Sequence, residues 1–492
     1  MADNTIHVKL DKRILRVPAG TEMSPRLLSS LIAKHKELVS KVYKPLGDAY
    51  EGNYDILHQE KKPKWKPDSR IACNFAKYIS DTFNGFFIGI PIKLSVDSGD
   101  DEKADDKVKD YVEFLDSYNN QDDNNAELSK LSGNYGTAYE MYYTDEDGES
   151  GIIYLSPMEA FMVYDDSILS RPMFFVRYVK GADGVERGSY SDSMYVRHFE
   201  NRGGIHFTDD PYEHHFCDIP ATEFVHNRER MGIYEDALFA INAFNKALSE
   251  KANDVDYFAD AYMKIKGVKV DDDDAIHIRT TRIINLFESP EERGVNTDSP
   301  VMDAEFMSKP DSDSTQEHLL DRLYKLIFQL SMVADISDES FGSASGIALK
   351  YKLTSMYNLF RTKVRKFSAG LNRRYKILFS SPIAGTHGVS PDDWIKVSAA
   401  FTPNFPANTT EEVENAAKLD GVVSKKTQLG LLSFIDDVDS EIERMATEQK
   451  EEMEKLDSYT AFNKGKNNGV DGDTESDAGS GGDSGGTKGA EE

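Results

Sequence analysis

Between Ser345 and Ser380 the chain carries nine Lys or Arg side chains and no Asp or Glu: Lys350, Lys352, Arg361, Lys363, Arg365, Lys366, Arg373, Arg374 and Lys376. Such cations either hold phosphates or pair with carboxylates on another surface. Ile347, Leu349, Leu353, Met356, Leu359 and Phe360, interleaved with them, predict a helix with one buried face over 347–380. Immediately before it, FGSASG at 341–346 reads as a loop, with Gly342 and Gly346 supplying backbone freedom. The rest of the chain opposes this basic segment. Its 86 acidic and 58 basic residues give a formal net charge of -28 over 492 residues. An average surface of that sign repels phosphate, so non-specific adhesion to nucleic acid is not expected. The acidic surplus favours ion pairs with a neighbouring chain for the basic helix; contact with DNA phosphates is the alternative.

Other residue groups invite chemistry and yield less. No phosphate-cradling GxxxxGK[ST] occurs, so no intrinsic ATP motor is expected; HExxH and GxSxG are also absent. His198, His206, His214, His215 and His226 gather near Cys217, but without the tight, repeated spacing of structural zinc, and ordinary strand or surface histidines are expected. Asp271, Asp272, Asp273 and Asp274 could form a carboxylate metal site of the nuclease kind. They also suit a solvated turn opening a helix, where acids oppose the helix dipole. No partner acids stand at a set spacing from them. No catalytic residue, metal or cofactor is expected.

The elements that must position these residues are legible in part. Ile71, Phe75, Tyr78, Ile79 and Phe83 follow helical spacing, and the chain then turns into a strand-like IKLSV. The Asp/Asn-rich segment 116–125 reads as a loop, followed by a helix over 126–133. TAYEMYYT, GIIYLSP, AFMVYD, MFFVRYV and MYVRHF, separated by Gly/Asp turns, predict an antiparallel sheet within an α+β domain. From Glu235 an apolar stripe (Leu238, Ile241, Phe244, Leu248, Ala252, Val255, Ala259, Tyr262) predicts a helix of about 28 residues, about 42 Å long. A second stripe, Leu319 to Val333, predicts a helix over 314–335. Between them sits an insert of about 45 residues, far longer than the usual 2–8-residue connection of antiparallel helices. RIINLF and DAEFM in that insert look like strands. Thr409 with Glu412 predicts a helix start, and Gly421 its end. Helices are also expected in SKKTQLGLLSFI and over 439–456. The tail from Gly465 has a disordered composition.

At this length several domains are expected. Cys73 and Cys217 cannot make a disulfide framework and fit a reducing compartment. MADNTIHVKL lacks the features of a signal peptide. The most apolar run, Phe83 to Val96, is too short and too interrupted to span a membrane.

Several separated stretches then acquire a common meaning: NFAKYISDTFNGFFIGIPIKL, GNYGTAYEMYY with YLSPMEAFMVYDD, IPATEFVHNRERMGIYEDALFAINAFNKALSEKANDVDYFADAYM, SGIALKYKLTSMYNLFRTKVRKF, and FTPNFPANTTEEVENAAKLDGVVSKKT. In this order, over roughly residues 70–450, they resemble the portal proteins, the head-to-tail connectors of tailed phages infecting Gram-positive bacteria. The resemblance implies an α+β portal fold with long stem helices, assembled as a ring of usually about twelve subunits. It implies a mixed α/β wing over 1–235, stem helices over 236–265 and 311–334, and a small α/β clip over 266–310. It places the tunnel loop at 335–346, including Asp335, Ser337, Glu339, Phe341, Gly342, Ser343, Ser345 and Gly346. The long basic wing helix and return strand then fall at 347–408, a helical crown at 409–456 and an acidic tail at 457–492. Asp271 to Asp274, Arg279 and Arg282 would belong to the clip's docking surface. Implied partners are further copies of the chain, double-stranded DNA, the terminase packaging ATPase, capsid and scaffolding proteins, and a head–tail adaptor, with no membrane. The implied location is the portal vertex of the virion, and the host cytoplasm during assembly. A metal-dependent nuclease using Asp271–Asp274 and a monomeric adaptor are the competing readings.

Overall fold

The computed structural model describes residues 13–63, 66–96, 102–259, 263–266, 303–306, 313–337, 349, 351–405, 409–432, 435 and 438–467. They form two compact units, one up to Phe405 and one from Pro406.

Within the first unit, short β-branched and aromatic runs build the sheets. The strands are β1 (Leu15–Val17), β2 (Lys93–Val96), β3 (Thr137–Thr144), β4 (Ser150–Leu155), β5 (Ala160–Asp165), β6 (Pro172–Lys180), β7 (Glu186–Ser191), β8 (Tyr195–Asn201), β9 (Ile205–Phe207), β10 (Tyr212–Glu213), β11 (Ala221–Val225), β12 (Met263–Lys266), β13 (Asp303–Phe306) and β14 (Val397–Ala400). The largest sheet has the order β1-β5-β6-β7-β8-β10, with β9 also on β8. Its pairings are antiparallel except β1 with β5. Alternation sets its two faces. Phe161, Val163, Phe174 and Val176 meet Leu28, Leu31 and Ile32 of helix α1 (Pro25–Leu38). Ala160, Met162 and Phe175 point the other way, against Tyr139 of β3 and Ala221 of β11. Strands β11-β3-β4 form a second sheet, with Ala138 opposite Phe224 and Met141 opposite Ala221.

The main core lies between that second sheet and helices α2 (Phe75–Ile88), α3 (Glu102–Tyr118), α4 (Gln121–Tyr135), α5 (Leu238–Ala259), α6 (Asp313–Ser331) and α7 (Thr354–Phe379). Gly370 and Gly136 are among the positions that require glycine. Gly370 of α7 faces Phe224, whose ring lies 2.4 Å from where a Cβ would stand, so only glycine lets α7 come this close. Gly136 ends α4 at φ +83, with the Arg230 carbonyl in the space a side chain would take. After α7 the chain returns, and β14 pairs antiparallel with β2.

Several expectations are corrected. Residues 116–125 are not a loop: α3 runs to Tyr118 and α4 starts at Gln121, with Asn120 alone taking a left-handed turn at φ +51. A single turn residue suffices, and Val108, Val112 and Leu115 supply α3 with a buried stripe. Ile71 lies before α2, not within it. The second long helix stops at Ser331, where Met332 takes φ +59. RIINLF lies outside the described residues, whereas DAEF forms β13.

In the second unit, helices Thr409–Lys418, Lys425–Leu429 and Val438–Asn467 follow one another. Gly421 takes φ +75 just beyond the first, as a helix-terminating glycine should. Ser424 caps the second by accepting from Thr427 N–H.

Candidate functional site

The antiparallel helices α5 and α6 lie side by side. An ion pair joins Lys251 to Glu317, and Gln316 Nε2 donates to Asp254 Oδ2 at 2.9 Å. Phe75, Phe244, Tyr324 and Phe328 close their near end in edge-on and tilted contacts, with ring centroids 5.0–6.4 Å apart. At the far end β12 pairs with β13, setting Met263 opposite Phe306 and Lys266 opposite Asp303, so the two ends of the insert meet. Asp271 to Asp274, Arg279 and Arg282, expected in that insert, lie outside the described residues.

A polar ladder on α5 was missed from sequence. Asn245, Ser249 and Asn253 are buried at successive helical turns. Asn245 Oδ1 accepts from Cys73 N–H at 2.8 Å, Ser249 Oγ from Ile71 N–H at 2.9 Å, and Asn253 Oδ1 from Ser69 N–H at 2.6 Å. The match is metric. Four helical residues rise about 6 Å, and two extended residues span about 6.6 Å. Asp256 with Ser69 Oγ, and Glu250 with Lys62, extend the seam. The signal was Asn, Ser and Asn at i, i+4 and i+8, on one face of the helix.

Beyond α6, the start of the expected tunnel loop is anchored. Asp335 Oδ2 accepts from Tyr324 O–H at 2.5 Å, and Oδ1 accepts from Ser337 Oγ at 2.6 Å. Ile336 N–H donates to Tyr78 Oη at 3.2 Å. Glu339, Phe341, Gly342, Ser343, Ser345 and Gly346 lie outside the described residues, as does Lys350.

The basic helix has two kinds of cation. Arg361 and Arg365 are exposed on α7, Lys366 is half-buried, and Lys352 is exposed just before it. Lys376 lies 5.9 Å from the Trp394 ring. Arg361 and Arg365 thus face outward. Arg373 Nη1 donates to Asp218 Oδ2 at 2.9 Å within the chain. Lys363 and Arg374 do not belong on a contact surface, contrary to the expectation from sequence: each is 1% exposed. Arg374 forks both oxygens of Glu140 at 2.8 Å and gives a further hydrogen bond to Asn125 Oδ1 at 2.6 Å. Tyr142 O–H donates to the same carboxylate at 2.9 Å. Lys363 Nζ donates to the Ser129 carbonyl at 2.9 Å and lies 4.8 Å from the Phe87 ring and 5.5 Å from that of Phe83. Burial pushes its ammonium down to about 7. His226, also buried, meets Phe83 edge-on, and burial with the nearby Lys363 charge lowers it well below its usual range.

The histidines do different work. His198 Nδ1 stands 2.6 Å from Asp209 Oδ2, and His214 Nε2 3.1 Å from the Asp192 carbonyl. Among the described residues no group of three or more His, Cys, Asp or Glu is arranged to hold a metal, and no helix is long and apolar enough to cross a membrane.

The described residues thus hold a paired helix system, an insert whose two ends pair as β12 and β13, and a helix with exposed basic side chains. The family model described as "Phage portal protein, SPP1 Gp6-like" matches residues 28–455, and the chain belongs to that family. Among curated relatives, the portal protein of Clostridium phage phiCD119 is 21% identical over 470 residues, covering 89% of this chain and 98% of the relative. The portal protein of Bacillus phage SPP1 is 24% identical over 431 residues, covering 82% and 80%. Both phages are named for Gram-positive hosts. A solved structure titled "Neck of empty GTA particle computed with C6 symmetry" aligns at TM-score 0.42 and 12% identity, over 72% of this chain and 89% of that one.

Proposed function

We propose that the chain is the subunit of a closed ring of about twelve copies at one capsid vertex, through which double-stranded DNA enters during packaging and leaves at infection. The observation that supports this best is the α5–α6 pair, with its insert closed by β12 and β13, in a chain of the portal family. In this reading α5 and α6 are the stem lining the channel, and the insert is the clip that docks the terminase and later the head–tail adaptor. Residues 335–346 are the tunnel loop. Residues 1–235 with 347–408 form the wing, which faces capsid and scaffolding proteins, and 409–456 the crown. The location is the virion, after assembly in the host cytoplasm. The role is mechanical, with no catalytic step.

Charge supports the same reading. Copies each carrying a formal -28 give a ring whose average surface does not hold phosphate tightly, so a duplex slides rather than sticks. Arg361, Arg365 and Lys366 then serve as cations that draw the acidic surface of the next subunit against α7. Light scattering with electron-microscope class averages tests the assembly. A hollow ring with a mass near twelve times 55.3 kDa is the expected result. A persistent monomer reopens the nuclease and adaptor readings.

A further inference from the structure

Ile168 is the most exposed of the large apolar side chains among the described residues, at 103% relative exposure, and its neighbour Leu169 is 68% exposed. They form the tip of the turn between β5 and β6, and that turn is braced. Asp165 Oδ1 accepts from Ser167 Oγ at 2.8 Å and from Arg171 N–H at 2.9 Å. Arg16 Nη1 donates to the Asp165 carbonyl at 2.8 Å and to Ser170 Oγ at 2.7 Å, holding Ser170 at φ +47. Asp166 Oδ1 accepts from Ala19 N–H at 3.3 Å. Two branched aliphatic side chains are thus held in water on a turn that has little freedom left to lose on docking. That is the physics of a preorganised anchor.

At the other end of β6 a groove of about 500 Å³ opens over β6, β7 and β8. Leu155 and Val179, the latter 56% exposed, supply apolar lining. Arg177 stands in it, exposed, with Nε on Ser189 Oγ at 3.0 Å. Glu200, also there, is already neutralised by Arg187 at 2.9 Å and Arg202 at 2.8 Å. From Pro172 beside the turn to Tyr178 in the groove, β6 advances about 20 Å at about 3.3 Å per residue. Anchor and groove therefore cannot meet within one chain. The anchor is flanked by exposed Asp166, and the groove carries exposed Arg177 to meet it, along with exposed Glu159.

We propose that Ile168 and Leu169 of one copy insert into this groove of a second copy, with Asp166 set against Arg177. The proposal rests on the ring reading above and gives it a specific interface. The two patches differ, so the contact is head-to-tail, and a head-to-tail contact repeats around a closed ring instead of stopping at a dimer.

The test places p-benzoylphenylalanine at position 168 of the full chain and irradiates the purified assembly. The expected product is a ladder of inter-chain adducts whose linked peptides carry 177–179 or 198–200. Links to other parts of the neighbour, or no inter-chain link from a preparation that is assembled by light scattering, overturn this interface and leave the ring standing. A preparation that stays monomeric overturns both. Independently, the double variant Ile168→Ser with Leu169→Ser should match the parent's circular dichroism, since both side chains are exposed. It should raise the subunit concentration needed for assembly about tenfold or more; unchanged assembly overturns the proposal. Asp166→Arg and Arg177→Asp should each weaken assembly, and the pair together should restore it; failure to restore overturns the Asp166–Arg177 contact.

Discussion

Arg374 of α7 grips both carboxylate oxygens of Glu140 on β3 at 2.8 Å, and each residue is 1% exposed. The pair joins a helix to a sheet at the centre of the main core. Its two members depend on each other, because either one alone would be an uncompensated buried charge.

Removing one partner should therefore cost much more than removing both. Glu140→Ala is expected to lower stability by about 3–5 kcal/mol, and Glu140→Leu with Arg374→Met by far less. Urea unfolding of the single and double variants measures the difference. Equal losses would mean that the pair is not coupled.

Lys363 predicts a pH dependence. Its ammonium is lowered from 10.5 unfolded to about 7 folded, so between those values the unfolded chain holds the proton more often. Stability should then rise with pH from about 7 to about 10.5, by up to about 1.4 kcal/mol per pH unit from this group. Lys363→Met should lose that slope and be more stable than the parent near pH 7. Urea midpoints of both proteins at a series of pH values decide it; parallel curves would remove Lys363 as the source.

The Asn245–Ser249–Asn253 ladder predicts a local effect. Asn245→Ala leaves the Cys73 N–H without its acceptor, at a cost of about 1–3 kcal/mol. Hydrogen exchange at the amides of Ser69, Ile71 and Cys73 should speed up while the α7 core stays protected. Unchanged exchange there would show that the segment is held by other contacts.

The outward face of α7 can be tested in the assembly. Reversing Arg361, Arg365 and Lys366 to Glu is expected to block ring closure, as judged by light scattering, and high salt should weaken the parent in the same direction. Normal rings with altered DNA retention would instead assign these cations to phosphate.

Deleting Gly342–Ser345 is expected to leave rings intact and to impair DNA packaging. A packaging assay with purified motor reads this out, and normal packaging would remove the tunnel-loop role from 335–346.

Much of this fold was legible from periodicity. The runs TAYEMYYT and AFMVYD coincide with β3 and β5, and the stripes from Leu238 and from Leu319 became α5 and α6. These are local properties, because a strand or helix shows its buried face in its own sequence. Even Lys363 and Arg374 left a trace. With Met356, Phe360, Phe367, Leu371 and Leu378 they complete one helical stripe, so their inward direction was written in the spacing. What no spacing could supply is the partner. Ser129 and Glu140 each lie 234 residues earlier in the chain. A cation is stable in a core only where a carbonyl, ring face or carboxylate meets it there. The sequence by itself determined most of the elements and the family; only the tertiary structure decided which basic residues tie the core together and which are left facing out.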